Sequence, residues 1–431
     1  MPLRFVGATL VLLVAGAAVT STTQVTPATP GYWPQWRGPN RDGISADIGL
    51  LRTWPQGGPR KIFTAAGMGG GFSSVAVAGG RIYTMGDRRD GQYALAFTEA
   101  DGAPLWATRV GERHQDEYNG PRSTPTVDGD WVYVLSSAGT VTALNATSGR
   151  QQWSKSLTGD YGARRPTWLF AESPLVDGPH VIVSPGSRDA AVVALEKTTG
   201  KEIWRTTQPA FGSGGVEGAD YSSIVMSNGG GVKQYVRLAG RGVISVRASD
   251  GAFLWGYNRV ANGTANIPTP LVRDDLVFAS SGYQTGAALL RLSGAPQGGV
   301  TAREEYFLAG RTFQNHHGGM ILLGDHVYAG HGHRLGFPIC IELATGQVKW
   351  GGNFRNDGRG SAAITAADGH VYFRYENGLM MLIEATPTAY REKGQFQIPG
   401  VRQPSWSHPV VTGGRLYLRE QDALHVYDLG R

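Results

Sequence analysis

Residues 141–153 read VTALNATSGRQQW, and this pattern decides the fold. Short alternation of apolar and polar residues predicts half-buried strands. The Ser148-Gly149 pair predicts a hairpin turn, because Gly readily adopts the positive φ that such turns need. The same pattern, always ending in Trp, returns at residues 192–204, 243–255 and 338–350. Recurrence on this scale predicts a repeat protein built from β-hairpins.

A second phrase precedes each hairpin and sets the number of repeats. It is a small residue followed by an apolar strand, a Gly or Asp turn and a Val/Ile-Tyr pair. Its eight copies are spaced by 43 to 50 residues and begin at Ser73, Ser123, Ser173, Ser222, Thr269, Gly318, Ser361 and Ser407. Each unit supplies about four antiparallel strands, which is the size of one propeller blade. The sequence therefore predicts an all-β, eight-bladed β-propeller of four-stranded antiparallel blades.

The ends of the chain indicate how the ring closes. The eighth unit contains only three strands, while the strand-like residues 60–65 precede the first copy and belong to no unit. Pairing them with residues 424–427 would complete the last blade and remove an exposed sheet edge. We therefore expect the N-terminal strand to close blade eight.

Aromatic residues mark the expected seams between blades. We expect the five Trp residues that end the hairpins to pack between neighbours: Trp106, Trp153, Trp204, Trp255 and Trp350. Two units are degenerate, because residues 303–307 and 394–398 keep an aromatic residue but lack Trp. Such large side chains bury enough apolar area to hold adjacent sheets together.

The N-terminus has the order of a secretory signal. Met1 to Arg4 supply a positive charge, an apolar run extends to Ala18, and Ala15 to Ala17 form a small-residue cleavage pattern. We assign residues 1–18 to a signal peptide, 19–32 to a flexible spacer and 33–431 to one propeller domain. An uncleaved anchor is the alternative. No Cys follows the apolar run, so a lipidated N-terminal Cys is not expected, and the protein is predicted to be periplasmic or secreted.

Composition narrows the classes of partner. The formal net charge is +6, and the basic residues are dispersed instead of forming runs, which does not indicate nucleic-acid binding. The single cysteine, Cys340, excludes an internal disulfide and is interpreted as a buried strand residue. After signal cleavage we expect no membrane span, and we expect a monomer.

The Trp-ending repeat resembles the pyrroloquinoline-quinone-like (PQQ-like) repeat. Residues 33–43, WPQWRGPNRDG, are similar to an N-terminal signature of exported proteins of that family. The resemblance covers about residues 33–429 and implies the propeller fold. It implies no single activity, because the family includes quinoprotein alcohol dehydrogenases, the scaffold lipoprotein of the outer-membrane barrel-assembly machine, and uncharacterised exported propellers, which this chain resembles most.

Membership of the quinoprotein branch would require particular residues around the quinone. The resemblance implies a vicinal Cys-Cys disulfide and a Trp against the quinone, with Ca²⁺ held by Glu, Asn and Asp. The chain has one Cys, and we match no residues to the Ca²⁺ ligands. No cofactor is therefore expected, and PQQ with Ca²⁺ is the disfavoured alternative.

Ligand-binding residues are predicted from the geometry of a propeller. Residues just ahead of each innermost strand converge on one face, where rigidly held loops commonly carry binding sites. The predicted set is Asn119, Arg122, Trp168, Glu172, Tyr221, Asn266, His316, His317, Arg359, Trp406 and His408. Its chemistry suits an acidic or hydroxyl-rich small molecule or a peptide segment. The alternative is a water-filled channel mouth without a ligand.

Histidines near residues 315–333 suggest a metal site. We expect adjacent His316 and His317 to lie on a strand and to face opposite sides, so that both would not reach one ion. The weak metal hypothesis is a Zn or Cu site built from His317, His331 and His333. The alternative is that these side chains donate hydrogen bonds to the backbone between blades.

The sequence favours a non-catalytic ligand-binding or protein-interaction scaffold of the cell envelope. The partner would be an unknown protein or small molecule held on one face of the propeller. The alternative is a quinone (PQQ)-dependent oxidoreductase, or a degenerate quinoprotein dehydrogenase. No catalytic residues are assigned.

Overall fold

The computed structural model describes Met1, residues 31–114 and residues 117–430. The predicted signal peptide and most of the predicted spacer, at residues 2–30, lie outside the described residues. Eight four-stranded antiparallel sheets form a ring, which confirms the predicted eight-bladed propeller. The described residues include one short helix, α1 (Leu157–Tyr161), and two 3₁₀ turns, Gly229–Gly231 and Pro296–Gly298.

The first four blades follow the chain from the innermost to the outermost strand. Blade 1 contains β2 (Ala76–Ala78), β3 (Arg81–Arg88), β4 (Gly91–Thr98) and β5 (Pro104–Gly111). Blade 2 contains β6 (Thr126–Asp128), β7 (Trp131–Leu135), β8 (Thr140–Asn145) and β9 (Gln151–Ser156). Blade 3 contains β10 (Leu175–Asp177), β11 (His180–Val183), β12 (Val193–Glu196) and β13 (Glu202–Arg205). Blade 4 contains β14 (Val225–Ser227), β15 (Gln234–Ala239), β16 (Gly242–Arg247) and β17 (Phe253–Tyr257).

The remaining blades repeat the same order until the ring closes. Blade 5 contains β18 (Leu271–Arg273), β19 (Leu276–Ser281), β20 (Gly286–Ala295) and β21 (Gly299–Ala309). Blade 6 contains β22 (Met320–Leu323), β23 (His326–His331), β24 (Phe337–Glu342) and β25 (Val348–Gly351). Blade 7 contains β26 (Ala362–Ala367), β27 (His370–Tyr375), β28 (Leu379–Glu384) and β29 (Glu392–Gln397). Blade 8 contains β30 (Val410–Thr412), β31 (Arg415–Glu420), β32 (Ala423–Asp428) and β1 (Lys61–Ala66).

Blade 8 is completed by both ends of the propeller, as the sequence predicts. Strand β1 pairs antiparallel with β32, with Phe63 opposite Val426 and Ala65 opposite Leu424. Thr64 lies opposite His425, and its hydroxyl is 3.0 Å from His425 Nδ1. The pairing closes the sheet and leaves no terminal blade with a missing outer strand.

Three of the five blade-ending Trp residues, Trp106, Trp153 and Trp350, join neighbouring blades through the indole N–H. Trp106 of blade 1 donates to Ala146 O of blade 2, at 3.0 Å. Trp153 of blade 2 donates in the same way to Lys197 O of blade 3, at 2.9 Å. Blade 5 lacks the Trp, but Tyr306 takes its place and donates to Leu343 O of blade 6, at 2.7 Å. An aromatic ring with a polar tip therefore forms each of these seams.

Residues 33–43 form a segment, here called the plug, that crosses the central channel. Trp33 forms backbone hydrogen bonds with Val77 of blade 1. At the other end of the plug, Gly43 O accepts from Ala366 N of blade 7. Arg41 is 3 % exposed and donates to the Ser173 and Pro174 carbonyls of blade 3. The plug therefore closes one end of the channel.

Among the described residues, no helix has the length and apolar character needed to cross a membrane.

Candidate functional site

A cavity of about 460 Å³ lies where the loops of all eight blades meet above the plug. Most of its lining comes from the loops that precede innermost strands, such as Phe72 of blade 1, Trp168 of blade 3 and Trp406 of blade 8. The remainder comes from the plug and from turns between the second and third strands of a blade. Its size is within the range typical of small-molecule sites.

The plug supplies part of the cavity's lining with Trp36 and Arg37. The Trp36 indole nitrogen is 3.4 Å from Thr269 Oγ1, and its ring packs edge-on against His408 at 4.4 Å. Arg37 has a left-handed backbone, with φ +60°, and its Nη2 donates to Met320 O and to Asp42 O. The plug is therefore anchored to blades 5 and 6 directly beside the cavity.

Arg37 places a buried positive charge beside the cavity. The residue is 3 % exposed, and its Nε and Nη1 have no hydrogen-bond partner among the described residues. Burial lowers the pKa of Arg37 to about 10, partly offset by the charge of Asp42, so the guanidinium stays protonated at neutral pH. A cation in a poorly solvated place attracts anionic groups more strongly than one in water.

Aromatic rings make up much of the cavity wall. Trp168 lies 5.9 Å from Tyr221, and Tyr118 lies 4.7 Å from Trp406, measured between ring centroids. The Phe72 ring also packs on Trp406, with ring centroids 4.8 Å apart. Such walls bind flat apolar groups and leave a few polar atoms to fix their orientation.

Three imidazoles and one carboxylate cluster on the blade 6 and blade 7 side of the cavity. The ring centroid of His316 lies 4.4 Å from that of His317 and 4.3 Å from that of His333. His317 Nε2 is 3.2 Å from Glu376 Oε1. His316 Nδ1 is 2.9 Å from Ser361 Oγ, which holds this ring in place.

The environment sets the charges of this cluster. Burial lowers the pKa of His316, and neighbouring His317 and His333 lower it further, so its imidazole is neutral at physiological pH. Burial alone would raise the pKa of Glu376, but the hydrogen bond from His317 and the charge on that ring bring it to about 2. The cluster therefore presents the Glu376 carboxylate together with the neutral imidazole of His316.

The structure brings seven of the eleven sequence-predicted site residues to the cavity. These seven are Arg122, Trp168, Tyr221, His316, His317, Trp406 and His408. They come from five loops that lie on one face, as expected for residues ahead of innermost strands.

The other four predicted residues do not line the cavity. Glu172 is buried and accepts hydrogen bonds from Ser184, with Arg237 at 3.4 Å, so it stabilises the contact between blades 3 and 4. Asn266 is buried and donates to Asp220. Arg359 is exposed, and Asn119 also lies outside the lining.

The expectation for adjacent His316 and His317 is wrong. The two residues lie in the loop before β22, not on a strand, so the alternation of strand side chains does not apply. Both rings face the same cavity. Of the three residues in the metal hypothesis, His317 and His333 line the cavity. His331 does not line it, and its Nδ1 instead accepts a hydrogen bond from Gln314 N at 3.2 Å.

Apart from His333, which the metal hypothesis names, sequence reasoning missed the residues that the turns between second and third strands supply to the cavity. Tyr283, His333 and Glu376 lie between the second and third strands of blades 5, 6 and 7. In an antiparallel blade this turn returns to the same face as the start of the innermost strand. That topology was available from the repeat and would have found all three.

Comparison with known proteins agrees with the repeat pattern. A family model described as "Outer membrane protein assembly factor BamB" matches residues 52–167 and 90–352, which together span more than half of the chain. BamB of Escherichia coli K12 is 35 % identical over 107 residues, covering 23 % of this chain and 25 % of that protein. Quinoprotein ethanol dehydrogenase of Pseudomonas aeruginosa is 29 % identical over 140 residues, covering 31 % and 21 % respectively.

Solved structures share the fold at low identity. The crystal structure of BamB from Moraxella catarrhalis aligns with 80 % of this chain and 95 % of its own, with a TM-score of 0.54 at 15 % identity. The chain spans about a quarter of the length of the first curated relatives that it matches. The repeat, the eight blades and the family-model match agree with one another. The chain therefore belongs to the PQQ-like repeat β-propeller family, whose model is described as BamB.

Proposed function

We propose that this chain is a non-catalytic binding propeller of the bacterial cell envelope, periplasmic or secreted, that uses its cavity to hold an acidic, partly aromatic group. That group would belong to a small molecule or to a segment of a partner protein. The observation that carries the proposal is the cavity itself, into which every blade and the plug contribute side chains.

The chemistry of the lining supports this class of ligand. Three arginines, Arg37, Arg122 and Arg334, line the cavity against two glutamates, Glu117 and Glu376. The aromatic wall suits a flat apolar group, and the positive excess favours a carboxylate beside it. The E. coli relative named as an outer membrane protein assembly factor supports a partner protein as the source of that group.

A matched pair of probes tests the proposal. We would titrate the purified chain with N-acetyl-phenylalanine and with its uncharged amide, following the fluorescence of the cavity tryptophans. The acid should bind about tenfold more tightly, since a tenfold ratio corresponds to about 1.4 kcal/mol, which one charge-assisted contact supplies. Equal affinity of acid and amide, or no saturable change with either, would contradict the proposal.

Two arginine variants locate the binding site. Arg334→Gln, at the cavity, should reduce the preference for the acid over the amide. Arg359→Gln, outside the lining, should keep that preference. Loss of the preference in Arg359→Gln alone would place the ligand elsewhere on this face.

The second candidate is a quinone-dependent oxidoreductase, on the strength of the P. aeruginosa relative. The residues present do not fit quinone with Ca²⁺. Cys340, the only cysteine, is buried in β24 outside the cavity, so no vicinal disulfide can form. The cavity's donor cluster offers two imidazoles and one carboxylate, whereas Ca²⁺ takes six to eight oxygen ligands. A Ca²⁺-dependent absorbance shift on titration with PQQ would favour this second candidate.

A further inference from the structure

We propose that the cavity holds one divalent transition-metal ion, such as Zn²⁺, on His316, His317 and Glu376. One ligand atom from each of the three residues lies within 4.8 Å of the others. The proposal concerns the same cavity as the proposed function, but ion binding does not require the organic ligand.

The distances are close to those of an occupied site. Two ligands about 2.1 Å from a tetrahedral ion stand about 3.4 Å apart. His317 Nε2 and Glu376 Oε1 are already 3.2 Å apart, so an ion fits between them with small shifts. The ligand atom of His316 lies within 4.8 Å of the other two, so it must approach them by at most about 1.4 Å to complete the set.

The surroundings of the cluster support a metal more than a simple ion pair. Ser361 Oγ, at His316 Nδ1, is the kind of partner that fixes the orientation of a metal-binding imidazole. His333 packs on His316, and its buried Nδ1 has no hydrogen-bond partner among the described residues. A His317–Glu376 pair alone does not explain why the His316 ring, held by Ser361, and the unpartnered nitrogen of His333 lie beside it.

The donor types select the class of ion. Two imidazoles and one carboxylate suit Zn²⁺, Co²⁺ or Fe²⁺, and oxygen-seeking Ca²⁺ or Mg²⁺ much less. Three protein ligands leave at least one coordination position open. Since the three residues line the cavity, that position would face its interior.

Cobalt is the probe, because Co²⁺ occupies zinc sites and reports its coordination by visible absorption. We would strip the full chain, carrying no polyhistidine tag, with a chelator and titrate it with Co²⁺ in the absence of any organic ligand. The expected result is a saturable ligand-field spectrum at one ion per chain, which Zn²⁺ abolishes by competition.

Variants assign the ligands. His317→Gln and Glu376→Gln should each weaken Co²⁺ binding by about 100-fold, since each removes one of three ligands. Ser361→Ala should weaken it by about tenfold, since it removes only the partner of His316. His326→Gln, on β23 and outside the cavity lining, is the matched histidine control and should bind as the parent chain does.

The outcomes separate this proposal from the proposed function. No saturable spectrum, or affinity unchanged in both His317→Gln and Glu376→Gln, would overturn the metal site while leaving the acid-binding test intact. If either ligand variant fails to fold, Ser361→Ala decides, because unchanged Co²⁺ affinity in that variant contradicts the assigned geometry. Failure of N-acetyl-phenylalanine to bind leaves a positive Co²⁺ result standing.

Discussion

Glycines in the hairpin turns adopt the positive φ of the turn and also leave room for the Trp of the preceding blade. Gly149 has φ +70°, and a Cβ built on it would stand 2.6 Å from the indole of Trp106 in the preceding blade. Gly200 meets Trp153 in the same way, at 2.7 Å, and Gly251 meets Trp204 at 2.3 Å. The Gly and the Trp of the repeat therefore pack directly against each other between adjacent blades.

Gly149→Ala should destabilise the protein by about 3 kcal/mol, because the strained φ and the overlap with Trp106 both add cost. The matched control is Gly129→Ala, where φ is +56° but nothing lies within 4 Å of the added Cβ. Gly129→Ala should lower the free energy of unfolding by only about 1 kcal/mol. Urea unfolding of the two variants measures the difference, and equal costs would show that the seam is not tightly packed.

His331 is predicted to make stability depend on pH. It is 5 % exposed, and burial lowers its pKa to about 4 from an ordinary 6.5. Because the folded state favours the neutral ring, this stabilisation is present above pH 6.5 and is lost as the pH falls from 6.5 towards 4. His331→Asn should therefore lose about 2.5 kcal/mol less than the parent chain between pH 7 and 4.5. Identical pH profiles of the unfolding free energy would contradict this.

At the scale of elements, residues 44–60, between the plug and β1, supply an aromatic contact that the blade 7 repeat lacks. That blade ends in Phe396 instead of Trp, and Trp54 packs on Phe396 at 5.2 Å and on Tyr372 at 5.8 Å. Trp54 N also donates to Lys393 O at 2.8 Å. An aromatic residue from outside the repeat thus supplies the indole that the repeat lacks.

Trp54→Ala should lower the free energy of unfolding by about 4 kcal/mol, the usual cost of removing a buried Trp side chain. Ile48→Ala, in the same segment but 82 % exposed, is the control and should change it by less than about 0.5 kcal/mol. Thermal or urea denaturation checks both. A Trp54→Ala variant as stable as the control would mean that the segment is only loosely attached.

At the scale of the whole molecule, the sequence was sufficient for the ring and its closure. Periodicity counted the blades, and the unpaired residues around Phe63 matched the open edge beside Val426, because an incomplete sheet needs a partner strand. The repeat also placed Trp168, Tyr221 and His317 on one face, since loops at equivalent positions of a ring converge.

The position of the plug in the channel could not be predicted from the sequence, for a physical reason. Its residues have no repeat partner, and its contacts are hydrogen bonds to several blades that are distant in sequence, such as that from Arg37 to Met320. Nothing local in the sequence encodes which carbonyl a buried guanidinium will reach. Glu172 was misplaced for a related reason, because position ahead of a strand does not tell whether a carboxylate faces the cavity or an arginine of the next blade.

Eight blades and the plug build one cavity, which we propose to hold an acidic, partly aromatic group. The most direct measurement is a crystal structure of the full chain soaked with N-acetyl-phenylalanine. We expect the phenyl ring to lie against the wall formed by Trp168, Tyr221 and Trp406, with the carboxylate on the side of the cavity's arginines. A cavity containing only water at saturating probe, or a probe bound outside it, would contradict the claim.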